Sequence, residues 1–180
     1  MSEIYTLQVA GVTRELPIQR VAPNLRIASF VILGDCEIVV KSAPLLVDKL
    51  PEVDVLVTAE AKGIPLVHEI ARLLGHSHYI VARKSVKPYM DEPIIDEVES
   101  ITTQKKQVLC LDSHDAQCIR GKRIAIIDDV ISTGESVGAL ERLIGKAGGK
   151  VVAKAAILAE GAAAQRGDIL FLEELPLFPD

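Results

Sequence analysis

A chain of 180 residues with 49% hydrophobic content is long enough to bury one real core and too short for two ordinary domains. Its net charge of −5 and pI near 5.4 disfavour a nucleic-acid partner, whose phosphates are best held by clustered Lys and Arg. No apolar run approaches the roughly 20 residues of a membrane span, the N-terminal stretch, with Glu3 as its first charged side chain, lacks a signal-peptide pattern, and three cysteines form no even framework, so a reduced, cytoplasmic protein is expected.

In chain order, the first 20 residues alternate weakly and predict short strands or a hairpin at a domain edge. Residues 42–50 predict a helix capped by Ser42 with Pro44 in its first turn. The apolar run 53–58 fits a buried parallel strand. Ile64, Val67, Ile70, Ala71 and Leu74 then recur at helical spacing, Gly75 stops the helix, and 78–82 reads as the next strand. Residues 84–106, rich in Lys, Glu, Asp and Pro, predict a long loop, functional or disordered, followed at 107–112 by an exposed-edge strand. A second unit repeats the plan: strand 123–127, loop 128–136, helix 137–147, a Gly148-Gly149 stop and strand 151–159. The tail has a strand-like stretch at 168–175 and an apolar end. Two such units predict an α/β fold with a doubly wound, mostly parallel sheet, whose ligands gather where strands end and helices begin.

That mouth carries the chemistry. Asp128 and Asp129 close an apolar strand, where acids make poor core, and as acceptors without donors they suit adjacent ribose hydroxyls or waters on a bound Mg²⁺. Ser132, Thr133, Gly134, Glu135 and Ser136 then bring three hydroxyls and a glycine just before a helix, a composition that cradles a phosphate. The competing interpretation is a helix cap built from the aspartates, Thr133 and Ser136. A Walker loop is excluded, because no Gly-Lys-Ser/Thr is present. Residues Glu60, Ala61, Lys62 and Gly63 occupy the equivalent loop after the earlier strand, and Arg83, Lys84 and Lys87 follow the next one as a cluster of cations. His76 and His78 fall short of a metal-ligand set.

The run from Ile127 to Ser136 resembles the phosphoribosyl pyrophosphate signature of type I phosphoribosyltransferases, with Ser136 where that family usually has Thr. Glu60 to Gly63 is similar to the pyrophosphate loop of the adenine and xanthine enzymes, and the basic residues to the start of their mobile hood. The resemblance spans about residues 25–160 and implies one domain over 1–180. A hood would come from about 1–40 and 155–180, and a mobile loop from about 84–106. It implies Mg²⁺-dependent transfer of 5-phosphoribose from phosphoribosyl pyrophosphate to a purine base in a cytoplasmic homodimer. Asp128, Asp129 and Lys84 would be catalytic. The donor would be held by Glu60, Ala61, Lys62, Gly63, Arg83, Lys87 and the loop Ser132, Thr133, Gly134, Glu135 and Ser136.

For the base, Phe30 is a candidate to stack, with a core position as the alternative. Glu160 stands where xanthine enzymes carry a lysine; its carboxylate accepts from an exocyclic amine and repels purine oxygens, which favours adenine. Thr102, Thr103 and Gln104 stand where adenine enzymes often carry a proton-transferring glutamate. The alternatives are a xanthine or guanine/hypoxanthine enzyme, or a non-catalytic regulator that binds the donor.

Overall fold

The computed structural model describes residues 3–98 and 107–179. The chain opens with a hairpin, β1 (Ile4–Val9) and β2 (Val12–Ala22), turned by Ala10 and Gly11, which both take positive φ (52° and 73°) as a two-residue hairpin turn demands. Strand β3 (Leu25–Ala28) pairs back on β2.

Helix α1 (Cys36–Val47) begins six residues earlier than the sequence predicts. Asp35 caps it by accepting from the Ile38 amide at 3.2 Å, and Ser42 is fully buried inside it, so neither Ser42 nor Pro44 marks its start. The buried row Ile38, Val39, Ser42, Ala43 and Leu46 holds the helix through the break at Pro44, which by itself costs about 3 kcal/mol.

Next come β4 (Val55–Ala59), α2 (Ile64–Leu74), ended by Gly75 at φ 72°, and β5 (Ile80–Ala82). The stretch predicted as a loop contains β6 (Ile94–Val98), antiparallel to β7 (Gln107–Leu111). The rest of that predicted loop, 99–106, including Thr102, Thr103 and Gln104, lies outside the described residues. β7 is no exposed edge: Leu109, Cys110 and Leu111 are all buried, and the Arg83 backbone bonds Cys110 on its far side. A short helix that the sequence reading missed, α3 (Ser113–Ile119), is capped by Asp112 at the Asp115 amide.

Strand β8 (Arg123–Ile131) runs four residues beyond the predicted one, α4 (Glu135–Lys146) follows, and β9 (Lys150–Glu160) leads through a 3-10 turn at Gly161–Gln165. Of the predicted 168–175 strand, only a bridge at Leu170 and β10 (Glu173–Leu175) form, and β11 (Leu177–Pro179) follows.

The main sheet is parallel, in the order β10-β9-β8-β4-β5, and a smaller antiparallel sheet runs β1-β2-β3-β11. Strand alternation divides the core in two: Ala125, Ile127, Leu56 and Ile157 face one layer, while Ile124, Ile126, Val55 and Val57 face the other. Among the described residues no helix is long and apolar enough to cross a membrane.

Candidate active site

β4 and β8 are parallel neighbours, with Val57 opposite Ile126, so their carboxyl ends open on the same sheet edge and bring the loops after them together. A cleft of about 310 Å³ there is walled by Glu60, Ala61, Lys62, Lys84, Asp128, Asp129 and Ser136, residues up to 76 positions apart in sequence. Val108 and Leu109 of β7 also line it. Nothing in the run Gln107 to Leu111 signals that these side chains face a site.

The approach of the two loops depends on Gly63. A Cβ at this position would lie 2.3 Å from Thr58 Oγ1, 3.2 Å from the Ile127 carbonyl oxygen and 3.3 Å from Asp128 Cα. Only glycine lets the 60–63 loop rest on the backbone of β8.

Because β8 remains extended through the acidic pair, Asp128 and Asp129 project on opposite sides of the strand. Asp129 is 3% exposed; its Oδ2 is buried without a hydrogen-bond partner, and the nearest cation is Lys62 Nζ at 3.7 Å. Asp128 is half-buried, and its Oδ1 accepts from the Asp129 amide at 2.8 Å. Burial, then the neighbouring Asp129 charge, raise the Asp128 carboxyl above the usual range. A buried acceptor without a donor and a carboxyl resisting its own charge both call for a ligand that brings hydroxyls or positive charge.

A second recess, of about 110 Å³, is formed by Ser132, Thr133, Gly134, Glu135 and Ser136 with Asp128. Gly134, at φ 84°, is the N-cap of α4, and no side chain caps the helix; Thr133 Oγ1 reaches only the Glu135 amide, at a long 3.4 Å. The helix-cap interpretation therefore fails, and the first-turn amides and the positive end of the helix dipole face the recess.

The basic arm is divided. Lys84 lines the cleft, but Arg83 donates to Glu60 Oε1 at 3.0 Å and to the Tyr89 hydroxyl at 2.7 Å, and Lys87 to Ser85 at 2.6 Å. Glu60 also accepts from the Lys84 amide at 2.8 Å; that bond, with burial opposing and Arg83 assisting, holds its carboxyl below the usual range. Glu60 and Arg83 thus brace the arm against the loop.

Two predicted base contacts lie elsewhere. Phe30 is 6% exposed and packs in the core with Leu7 and Ile32, so it is not a stacking platform; a lone aromatic beside an apolar strand gains more from burial. Glu160 is 8% exposed at the end of β9, opposite Leu175, and not in either recess.

A model of the phosphoribosyl transferase domain matches residues 46–173. The chain belongs to the phosphoribosyltransferase family. Among its relatives, an adenine phosphoribosyltransferase of Thermotoga sp. is 33% identical over 119 residues, covering 66% of this chain and 65% of that protein. The hypoxanthine/guanine phosphoribosyltransferase of Methanotorris igneus is 33% identical over 99 residues, covering 55% and 50%. The matched part of this chain thus spans under two thirds of either relative. In solved structures, the adenine phosphoribosyltransferase of Thermoanaerobacter pseudethanolicus shares the fold with a TM-score of 0.68 at 21% identity, over 88% of this chain and 95% of that one. The Trypanosoma brucei adenine enzyme, solved with AMP, pyrophosphate and ribose-5-phosphate, has a TM-score of 0.61 at 20% identity, over 85% and 72%. The fold is that of the type I phosphoribosyltransferases.

Proposed function

We propose that the protein transfers 5-phosphoribose from phosphoribosyl pyrophosphate to a purine base, adenine first, giving a nucleoside 5′-monophosphate and pyrophosphate. The observation that carries this is the pairing of an acidic strand end with an uncapped helix N-terminus on one side and the 60–63 loop with Lys84 on the other. The distribution suits a donor with a phosphate at one end, hydroxyls in the middle and a pyrophosphate at the other.

Loop amides, Thr133 and Ser136 hold the 5′-phosphate, and Asp128 and Asp129 accept from the ribose hydroxyls. Lys62 and Lys84 face the pyrophosphate and stabilise its growing charge as it leaves. The C1′–oxygen bond to pyrophosphate breaks, a bond from C1′ to a purine nitrogen forms, and that nitrogen releases its proton. Most of the rate then comes from holding the donor and base in line and from electrostatic stabilisation.

Mg²⁺ fits this site. The described residues contain no group of three or more His, Cys, Asp or Glu for a protein-only cage, but Asp129 Oδ2 is a buried hard oxygen without a donor. Asp129 would help hold such an ion, which would supply positive charge for the phosphates of the donor.

Adenine is favoured by the similarity to the adenine phosphoribosyltransferase of Thermotoga sp.; Glu160, buried outside both recesses, lends it no support. The Methanotorris relative makes guanine and hypoxanthine the second choice. The working form is a homodimer, supported by an apolar groove of Ile32, Val39, Val40, Ile64, Pro65 and Tyr79 beside half-exposed Val31 and Leu33. Incubating the protein with phosphoribosyl pyrophosphate, Mg²⁺ and each of adenine, guanine, hypoxanthine and xanthine tests the activity. AMP formation is the expected result, a different monophosphate reassigns the base, and no turnover with any of the four refutes the proposal.

A further inference from the structure

Arg166 follows the 3-10 turn after β9, in a stretch that the donor signature does not include. Its Nε donates to Asp168 Oδ1 at 2.9 Å and its Nη2 to Asp168 Oδ2 at 2.8 Å, a fork-to-carboxylate pairing that fixes the guanidinium plane. Asp168 is also held by Lys154 Nζ at 3.0 Å, and Lys154, with a side chain 12% exposed, bonds Glu141 at 2.9 Å. Glu141 lies on α4, the helix whose N-terminus forms the phosphate recess. A ladder of alternating charges therefore runs from the body of α4 through β9 to Arg166.

The end of this ladder is at Gly134. A Cβ there would lie 2.5 Å from Arg166 Nη1, the guanidinium nitrogen not used by Asp168, so that nitrogen rests against the turn that opens α4. The loop itself lacks positive charge: from Asp128 to Ser136 it has three acids, Asp128, Asp129 and Glu135, and neither Lys nor Arg. A phosphate dianion in the recess would face amides and hydroxyls with Glu135 close by.

We propose that Arg166, aimed by Asp168 and Lys154, is a positioning residue for the 5′-phosphate: it supports the Gly134 turn and supplies the positive charge that the loop lacks. This rests on residues 128–136 being the phosphate-binding loop. The arrangement makes 5′-phosphate affinity depend on a residue some 30 positions after the motif, and makes that dependence electrostatic. At such a partly exposed position, one charge contributes about five- to tenfold in affinity, and salt screens it.

Calorimetric titration with ribose 5-phosphate and, separately, with Mg²⁺-pyrophosphate tests this in the wild type, R166Q and R166K at low and high salt. R166Q is expected to weaken ribose 5-phosphate about five- to tenfold at low salt, with the gap narrowing as salt rises. Pyrophosphate affinity and melting temperature should stay unchanged, and R166K should recover most of the loss. Equal ribose 5-phosphate affinity in R166Q and wild type overturns the proposal. So does an equal loss of both ligands with a lower melting temperature, which marks a purely structural role, or an R166K as weak as R166Q, which removes the charge argument. A wild type that binds neither ligand refutes the phosphate-loop reading itself, and that result is seen before any variant is compared.

Discussion

Gly63→Ala tests whether the cleft depends on the 60–63 loop resting directly on β8. The added methyl would sit 2.3 Å from Thr58 Oγ1, about 1 Å inside ordinary contact, and 3.2 and 3.3 Å from backbone atoms of Ile127 and Asp128. Thr58 is fully buried and both backbone atoms belong to a central strand, so none of the three yields easily. Overpacking of this kind costs about 1–3 kcal/mol. Relief moves the loop away from Asp128 and spoils the pyrophosphate side, and at about 1.4 kcal/mol per decade the expected loss of pyrophosphate affinity is tenfold or more. Thr58→Ala removes the shortest contact, and its hydroxyl has no hydrogen-bond partner to lose among the described residues. The double variant should therefore recover about 1 kcal/mol of the stability lost by Gly63→Ala, leaving only the two milder backbone contacts. Urea denaturation and calorimetry read the two effects. A Gly63→Ala protein with unchanged midpoint and affinity, or a double variant with no recovery, refutes the reasoning.

Asp128→Ala combined with Asp129→Ala should abolish binding of phosphoribosyl pyrophosphate by calorimetry, and retained binding removes the pair from the site. Lys84→Ala should weaken pyrophosphate about tenfold while leaving ribose 5-phosphate unaffected, since only the pyrophosphate end of the cleft loses a cation. Asp96, 5% exposed, accepts from Lys146 at 2.7 Å and Arg142 at 3.0 Å; burial raises its carboxyl, but these two bonds outweigh burial and hold it below the usual range. Its folded pKa being depressed, it contributes stability above the ordinary aspartate value of about 3.9, and that contribution is lost as pH falls below it. Asp96→Asn should cost about 1–2 kcal/mol at pH 7, the two cations being half exposed, with the gap to wild type closing on acidification in urea titrations at stepped pH.

The parts of the fold that were legible in sequence are those whose causes are local. The α2 helix shows its apolar row and its Gly75 stop within 12 residues, and the strand-loop-helix around Asp128 shows its apolar run, acids and glycine in order. The parts misread have remote causes. β6 hides in an acidic stretch because Asp96 becomes a core residue only through Arg142 and Lys146, 46 and 50 positions away. α1 begins before Ser42 because Asp35 caps it, a signal that Pro44, read as a helix start, obscured. For α3 the sequence does carry a cap signal, Asp112 with Asp115 three residues later.

The same contrast separates the two halves of the reaction. The donor is a chain of fixed groups, phosphate, diol and pyrophosphate, and two short loops on neighbouring strands can match it almost residue by residue; their sequences therefore display it. A purine is flat and largely apolar, and its identity lies in one or two exocyclic groups, which scattered side chains or backbone atoms can read. Here the two side chains singled out for the base, Phe30 and Glu160, are both buried outside the recesses where the donor groups converge. With Phe30 committed to the core, base stacking in the proposed reaction falls to another surface, and Val108 and Leu109 are apolar side chains on the cleft wall that no sequence pattern marks. On the proposed function, base choice therefore rests on surfaces other than Phe30 and Glu160, placed around a donor site that two short loops of the chain display.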